Sequence, residues 1–227
     1  MQVKLISYSK PSREMYDQGL LDAQELIAFC ARVSNPSNQF NTETADKLIK
    51  YLIKNKHWSP LEMVSACLEI TTTRDIARQI LRHRSFSFQE FSQRYADPTK
   101  DLNFVLRDAR LQDTKNRQNS INLDMASDEQ RQIAYQWENL QRKLIEQVRD
   151  TYSWAIEKGI AKEQARAVLP EGLMESRLYM NGTLRSWVHF IELRSANGTQ
   201  LEHQEVAKAC AKAISEIFPI INDIVAK

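Results

Sequence analysis

Glycine is scarce in this 227-residue chain: there are five, and no two are adjacent. Neither GxGxxG nor GxxxxGKS/T occurs, which excludes the backbone phosphate cradles of dinucleotide-binding and P-loop proteins. Any phosphate held here is held mostly by side chains. Cysteine is scarce too. Cys30, Cys67 and Cys210 lie far apart in apolar-periodic segments, with no CxxC. That gives no support to a zinc knuckle or a redox pair and reads as packed, reduced thiols. His57, His83, His189 and His203 show no HExxH or other short ligand spacing, so no metal site is expected. No run approaches the ~18 apolar residues of a membrane span. The N-terminal "MQVKLISYSKPSREMYDQG" lacks an apolar stretch of signal-peptide length. The expectation is a cytoplasmic protein without membrane contact. Net charge is +2, low for a protein that coats nucleic acid. With no internal repeat and no low-complexity linker, the chain reads as one domain over residues 1–227.

What is present is periodicity. "QVKLISYS" reads as a first strand, and "LLDAQELIAFCARV" as a helix with Leu21, Leu26, Ile27 and Cys30 near one face. "NTETADKLIKYLIKNKH" reads as a stronger helix: Ala45, Leu48, Ile49, Leu52 and Ile53 share a face, with Thr42 or Thr44 as cap and a break at Pro60. Val64, Ala66, Leu68 and Ile70 alternate in a strand. Thr73 then caps the helix "RDIARQILRH". Residues 85–95 read as irregular or extended and residues 107–127 as a polar loop or insertion. Ser127 caps a long helix through Lys158, with Ile133, Trp137, Leu140, Leu144 and Val148 as its apolar stripe. A last helix runs from about Thr199 to Phe218.

Arginine is unevenly placed. Arg74, Arg78, Arg82, Arg84 and Arg94 fall within 21 residues that contain no lysine. The first three share a helix face, where like charges destabilise by a few tenths of a kcal/mol per pair. Arginine offers a planar fork of donors that lysine lacks, which hints at bidentate anion recognition. Two readings compete. One is a solvated face with ion pairs to Glu62, Glu69, Asp75 or Glu90. The other is an anion site, with Phe86, Phe88, Phe91 and Tyr95 as flat surfaces for stacking on a ring. Arg166, Arg177, Arg185 and Arg194 form a second group near the C-terminus. Ser92 reads as a phosphate hydrogen-bond donor rather than a nucleophile beside His83, because no GxSxG elbow is present.

"RHRSFSFQEFS" places Arg82, His83 and Arg84 seven residues before Ser92. This resembles the signature of the flavin-dependent thymidylate synthases. His57-Trp58-Ser59-Pro60-Leu61-Glu62 resembles that family's HxSPxE box, and Ala165-Arg166 with Leu169-Pro170 resembles its ARxxLP. Arg185 with "HFIELR" resembles its last box. The resemblance implies an α+β fold, with a small twisted antiparallel sheet flanked by helices. It implies reductive methylation of dUMP to dTMP, with methylenetetrahydrofolate as carbon donor, FAD as redox cofactor and NADPH as reductant. It also implies a homotetramer with shared active sites and no nucleic-acid partner. By the same resemblance Ser59, Arg82, His83, Arg84, Glu90, Thr183, Leu184, Arg185 and His189 line the FAD site. Gln79, Arg82, Glu90, Ser92, Gln93, Arg94, Arg166 and Arg194 hold dUMP, and Arg194 has the catalytic role of polarising the uracil ring. Two positions depart from the pattern: Thr183-Leu184 stands where many members have Asn-Ala, and Gly198 where some have histidine. An arginine- and aromatic-rich module for single-stranded nucleic acid and a cysteine-dependent nucleotide methylase are the competing functions. Modest net charge weighs against the first, and the absence of cysteine from every arginine-bearing segment against the second.

Overall fold

The computed structural model describes residues 1–225. The chain runs β1 (Gln2–Tyr8), α1 (Arg13–Asp17), α2 (Ala23–Ala31), α3 (Ala45–Lys54), β2 (Ser65–Thr73) and α4 (Arg74–Ile80). It continues through β3 (Ser87–Glu90), α5 (Pro98–Asp101), β4 (Arg110–Gln112), β5 (Ser120–Asn122) and α6 (Asp128–Glu157). It closes with α7 (Lys162–Ala165), β6 (Glu175–Thr183), α8 (Leu184–Ser195), α9 (Leu201–Ser215) and α10 (Ile221–Val225). The main sheet has the order β1-β2-β6-β3, antiparallel throughout. The α+β class expected from the sequence is what the chain adopts.

One face of this sheet is apolar and covered. Ala66, Leu68 and Ile70 of β2 and Leu178 and Met180 of β6 are buried with Trp187, Val188 and Phe190 of α8 and Val206 and Cys210 of α9. The other face is polar, as an antiparallel sheet permits; on it Tyr179 donates its hydroxyl to the Glu69 carboxylate across the strands at 2.8 Å. Phe86 belongs to the core, with its ring 4.8 Å from Trp187. It is therefore not one of the stacking surfaces that the sequence suggested, whereas Tyr95 is exposed.

Several boundaries differ from the sequence reading. The strand β6 was not anticipated, because Arg177, Tyr179 and Asn181 interrupt its apolar set. Residues 107–127 contain the short β4–β5 hairpin. The Thr44 hydroxyl does not cap α3 but accepts from Arg32 Nη2 at 2.7 Å. The Thr73 hydroxyl does not cap α4 either; it donates to Asp75 Oδ1 and accepts from Arg107 Nη2, each at 2.5 Å. Ser127 does cap α6, accepting from Gln130 N. The buried stripe of α6 is Gln141, Ile145, Val148, Tyr152 and Ala155, while Ile133, Trp137, Leu140 and Leu144 are exposed.

Candidate functional site

Each central strand runs straight into a helix. β2 enters α4 at Thr73, and β6 enters α8 at Thr183, whose Oγ1 accepts from Ser186 N at 3.3 Å. Ser65 pairs with Thr183 and Thr73 with Glu175, so the two helices start at opposite ends of the strand pair. A nine-residue strand spans ~30 Å. The seven residues of α4 and the twelve of α8 cover ~10 and ~18 Å. The turn after α4 therefore meets the last turn of α8, and there Arg194 Nε donates to His83 Nε2 at 2.9 Å.

The segment from His83 to Phe86 lies along α8. Ser186 Oγ donates to the Ser85 carbonyl at 3.3 Å, and the His83 ring stands edge-on to Phe190 at 5.0 Å. His83 and Phe86 turn inward, while Arg82 and Arg84 are exposed. This alternation is why two arginines can flank a histidine without spacing: their charges point to water, not at each other. A guanidinium can only donate, so His83 Nε2 is a bare acceptor and its proton sits on Nδ1. Burial, and then the Arg194 charge, lower the His83 pKa to about 4, which keeps the ring neutral. Burial, and then Arg82, lower the pKa of Arg194, but a guanidinium starting so high stays charged.

Behind this pair lies a partly buried polar chain. Gln79 Nε2 donates to Gln200 Oε1 at 2.8 Å, and Gln79 Oε1 lies 3.2 Å from His203 Nδ1. Gln200 Nε2 donates to Glu202 at 2.9 Å, and Glu202 is clamped by Arg107 at 3.1 Å and Arg110 at 2.6 Å. The sequence reading missed His203, Gln200 and Arg107 as site-supporting residues. The available signal was a polar pair, Gln200 and His203, one turn before the apolar Val206, Ala207 and Cys210. A cavity of about 200 Å³ bounded by Thr73, Arg107, Arg110 and Glu202 borders the chain's far end.

The remaining arginines divide by partner. Arg74, buried, and Arg78 pair with Glu90 at 3.4 Å and with Glu171 at 3.6 and 3.4 Å; Ser176 Oγ also donates to Glu90. For these two the ion-pair reading holds. Arg94 pairs with Glu163 at 3.5 Å, and Arg185 with Glu62. Among the described residues Arg82, Arg84, Arg166 and Arg177 have no carboxylate within ion-pair distance. Gln93 is buried, and its Nε2 has no hydrogen-bond partner. Such an orphan donor costs ~1–3 kcal/mol. Ser92 Oγ accepts only the weak 3.4 Å contact from Arg94 N.

The expected site residues thus form three groups. Gln79, Arg82, His83, Arg84 and Arg194 sit where α4 and α8 converge. Ser59 follows Trp58, which packs 4.5 Å from His189, and Arg185 pairs with Glu62 of the same turn. Glu90, Ser92, Gln93, Arg94 and Arg166 lie at the end of β3 and around α7. No hydrogen bond or ion pair among the described residues joins one group to another. Thr183 is committed as a helix cap and Leu184 is fully buried, so neither offers a free side chain. At Gly198 the backbone has φ +90°, and an added Cβ would lie 3.3 Å from Gln118 Oε1 of the hairpin loop. The positive φ favours glycine there, and Gln118 lines a cavity of about 490 Å³ together with Asn197 and Thr199 on either side of it.

Residues 18–220 match the family model described as Thymidylate synthase complementing protein. The chain is 49% identical over 221 residues to a probable flavin-dependent thymidylate synthase of Paramecium bursaria Chlorella virus 1, covering 97% of each chain. It is 45% identical over 222 residues to the flavin-dependent thymidylate synthase of Synechocystis sp., again covering 97% of each. A solved UMP/dUMP methylase from Streptomyces cacaoi, bound with 5-Br dUMP, superposes with TM-score 0.79 at 24% identity, covering 99% of this chain and 94% of that one; it shares the fold. Identity near one half over 97% of the chain, with the family model matched over residues 18–220, makes this chain a member of the flavin-dependent thymidylate synthase family.

Proposed function

We infer that the protein is a flavin-dependent thymidylate synthase that methylates dUMP reductively to dTMP. The observation that carries this reading is the Arg194–His83 pair. Methylation at the uracil 5-carbon needs electron density there. A guanidinium beside N3 and the carbonyl oxygens favours the deprotonated ring, and one well-placed donor contributes ~3–4 kcal/mol. A carboxylate would hold Arg194 but cancel its charge; a neutral imidazole holds it and leaves the charge available. A cysteine route has no support, because burial raises the pKa of Cys30, Cys67 and Cys210 and a protonated thiol is a poor nucleophile.

The side chains fit the anionic ligands of this reaction. Ser92, Gln93, Arg94 and Arg166 hold the dUMP phosphate, and the orphan Gln93 Nε2 gains the partner it lacks. Arg82 and Arg84, free of carboxylates, take the pyrophosphate of FAD together with Ser59, Arg185 and His189. FAD supplies the redox chemistry when bound, methylenetetrahydrofolate the carbon and NADPH the reducing equivalents. The protein works in the cytoplasm; no helix among the described residues is long and apolar enough to cross a membrane. It works as a homotetramer of one-domain chains; no hydrogen bond or ion pair among the described residues joins the three residue groups within one chain, and copies of the chain complete them at shared sites.

The purified protein should be yellow and should oxidise NADPH only when dUMP and methylenetetrahydrofolate are supplied. Arg194→Ala should lower kcat by roughly 10²–10³-fold while keeping the flavin absorbance. Full activity in that variant would reject the role given to Arg194.

A further inference from the structure

His203 is fully buried on α9, yet it lies outside every motif discussed above. Its place follows from the polar chain at its back. Glu202 can only accept, so Gln200 must turn Nε2 toward it, at 2.9 Å. Gln200 Oε1 is then left to accept from Gln79 Nε2, at 2.8 Å. Gln79 must in turn present Oε1 to His203, at 3.2 Å, so His203 Nδ1 carries the proton. His203 Nε2 is buried without a partner and faces a wall of Phe190 and His83, whose ring centroids lie at 5.8 and 6.4 Å. A proton there would have no acceptor. A single charge, on Glu202, thereby fixes the direction of every hydrogen bond in the chain.

We propose that His203 is a positioning residue of the nucleotide site: its Nδ1–H locks the side-chain amide of Gln79 in the one orientation that receives dUMP. This rests on the functional reading above, with Gln79 at dUMP as the family resemblance implies. An amide can flip and exchange donor for acceptor at almost no intrinsic cost. Holding it from both ends removes that freedom before the substrate arrives, so binding does not have to order it. Burial, then Arg194 and His83, lower the pKa of His203 to about 3, so the ring is neutral near pH 7.

The test is dUMP affinity, measured by calorimetry on the flavin-loaded protein, beside steady-state kinetics. His203→Phe keeps a ring against Phe190 and removes the donor. The Kd and KM for dUMP should rise roughly tenfold, the factor for one lost hydrogen bond, with kcat and FAD affinity unchanged. His203→Asn places an amide N–H close to the position of Nδ1 and should restore most of the loss. An unchanged dUMP affinity in His203→Phe overturns the proposal. So does an equal loss in both variants, or a parallel loss of FAD, because each marks packing rather than a directed bond. If His203→Phe does not fold, Gln200→Met at a half-buried position cuts the other end of the Gln79 clamp. It should weaken dUMP in the same way, and unaltered binding there overturns the proposal too. A wild-type protein that binds flavin but no dUMP would defeat the functional reading itself, and this inference with it.

Discussion

Arg194 and Gln79 each rest on a histidine that has to stay neutral. His83 accepts from the Arg194 guanidinium, and His203 donates to Gln79 with its other nitrogen bare. In the unfolded chain a histidine takes up a proton near pH 6.5. Burial delays this to about 4 for His83 and about 3 for His203. Between these values the unfolded chain binds more protons than the folded one, so acid favours unfolding. The stability contributed by both neutral rings is complete above about pH 6.5. It drains away as pH falls toward 4 and, for His203, toward 3. Thermal midpoints measured from pH 7 down to 5, where most carboxylates remain ionised, should fall steadily, and the slope should be shallower in His203→Phe. A flat profile over that range would show that the rings carry no such linkage. The sequence made the RHR signature plain at this scale. It could not show that its histidine faces α8 while its arginines face water, because that alternation is set by the packing of Phe86 and Phe190. Nor could it separate Arg74 and Arg78, which are neutralised by Glu90 and Glu171 from β3 and the β6 approach, from Arg82 and Arg84, which are not.

Among the elements, those whose periodicity is undisturbed were legible: β1, β2, α3 and the capped start of α6. β6 was not, because its polar face carries Arg177, Tyr179 and Asn181, and local pattern cannot tell a half-solvated central strand from a polar loop. The face of α6 was misjudged for a related reason. Two apolar stripes run along that helix, and only contact with Ala165, Leu169 and Met174 selects the buried one. The close approach between β6 and the signature segment gives a sharp test. A Cβ at Gly182 would collide with Cδ1 of Phe86 and lie 2.7 Å from Cε1 and 3.2 Å from Cγ. Phe86 cannot retreat easily, because Trp187 and Phe190 hold its ring at 4.8 and 6.0 Å. Gly182→Ala should therefore cost about 1–3 kcal/mol, the usual range for overpacking, read as a lower urea midpoint with an unchanged slope. Phe86→Leu in the same chain should return part of it. A neutral Gly182→Ala would mean that the segment carrying His83 is not pressed against β6.

Across the whole molecule, the exposed stripe of α6 and the divided site point to the same requirement. Ile133, Trp137, Leu140 and Leu144 fall at i, i+4, i+7 and i+11, so they share one face, and Leu140 is 62% exposed. Single exposed apolar residues are ordinary, but a contiguous row of four is a surface that water disfavours. The indole N–H of Trp137 is already spent on the Arg107 carbonyl at 2.8 Å, which leaves the outward part of that ring apolar. In the proposed tetramer a second copy of the chain would cover this row, and no hydrogen bond or ion pair among the described residues joins the groups around Arg194, Arg185 and Arg94 within one chain. In solution the protein should run as a multiple of its 26.4 kDa chain, four for the proposed tetramer, by light scattering or sedimentation. Leu140→Asp with Leu144→Asp should yield a smaller species with native circular dichroism. If copies complete one another's sites, that species should lose dTMP formation by more than about tenfold, the scale of a mispositioned catalytic group. A double variant that keeps the wild-type mass would move the interface off α6. One that becomes monomeric with full activity would instead mean that each chain assembles its three arginine groups alone.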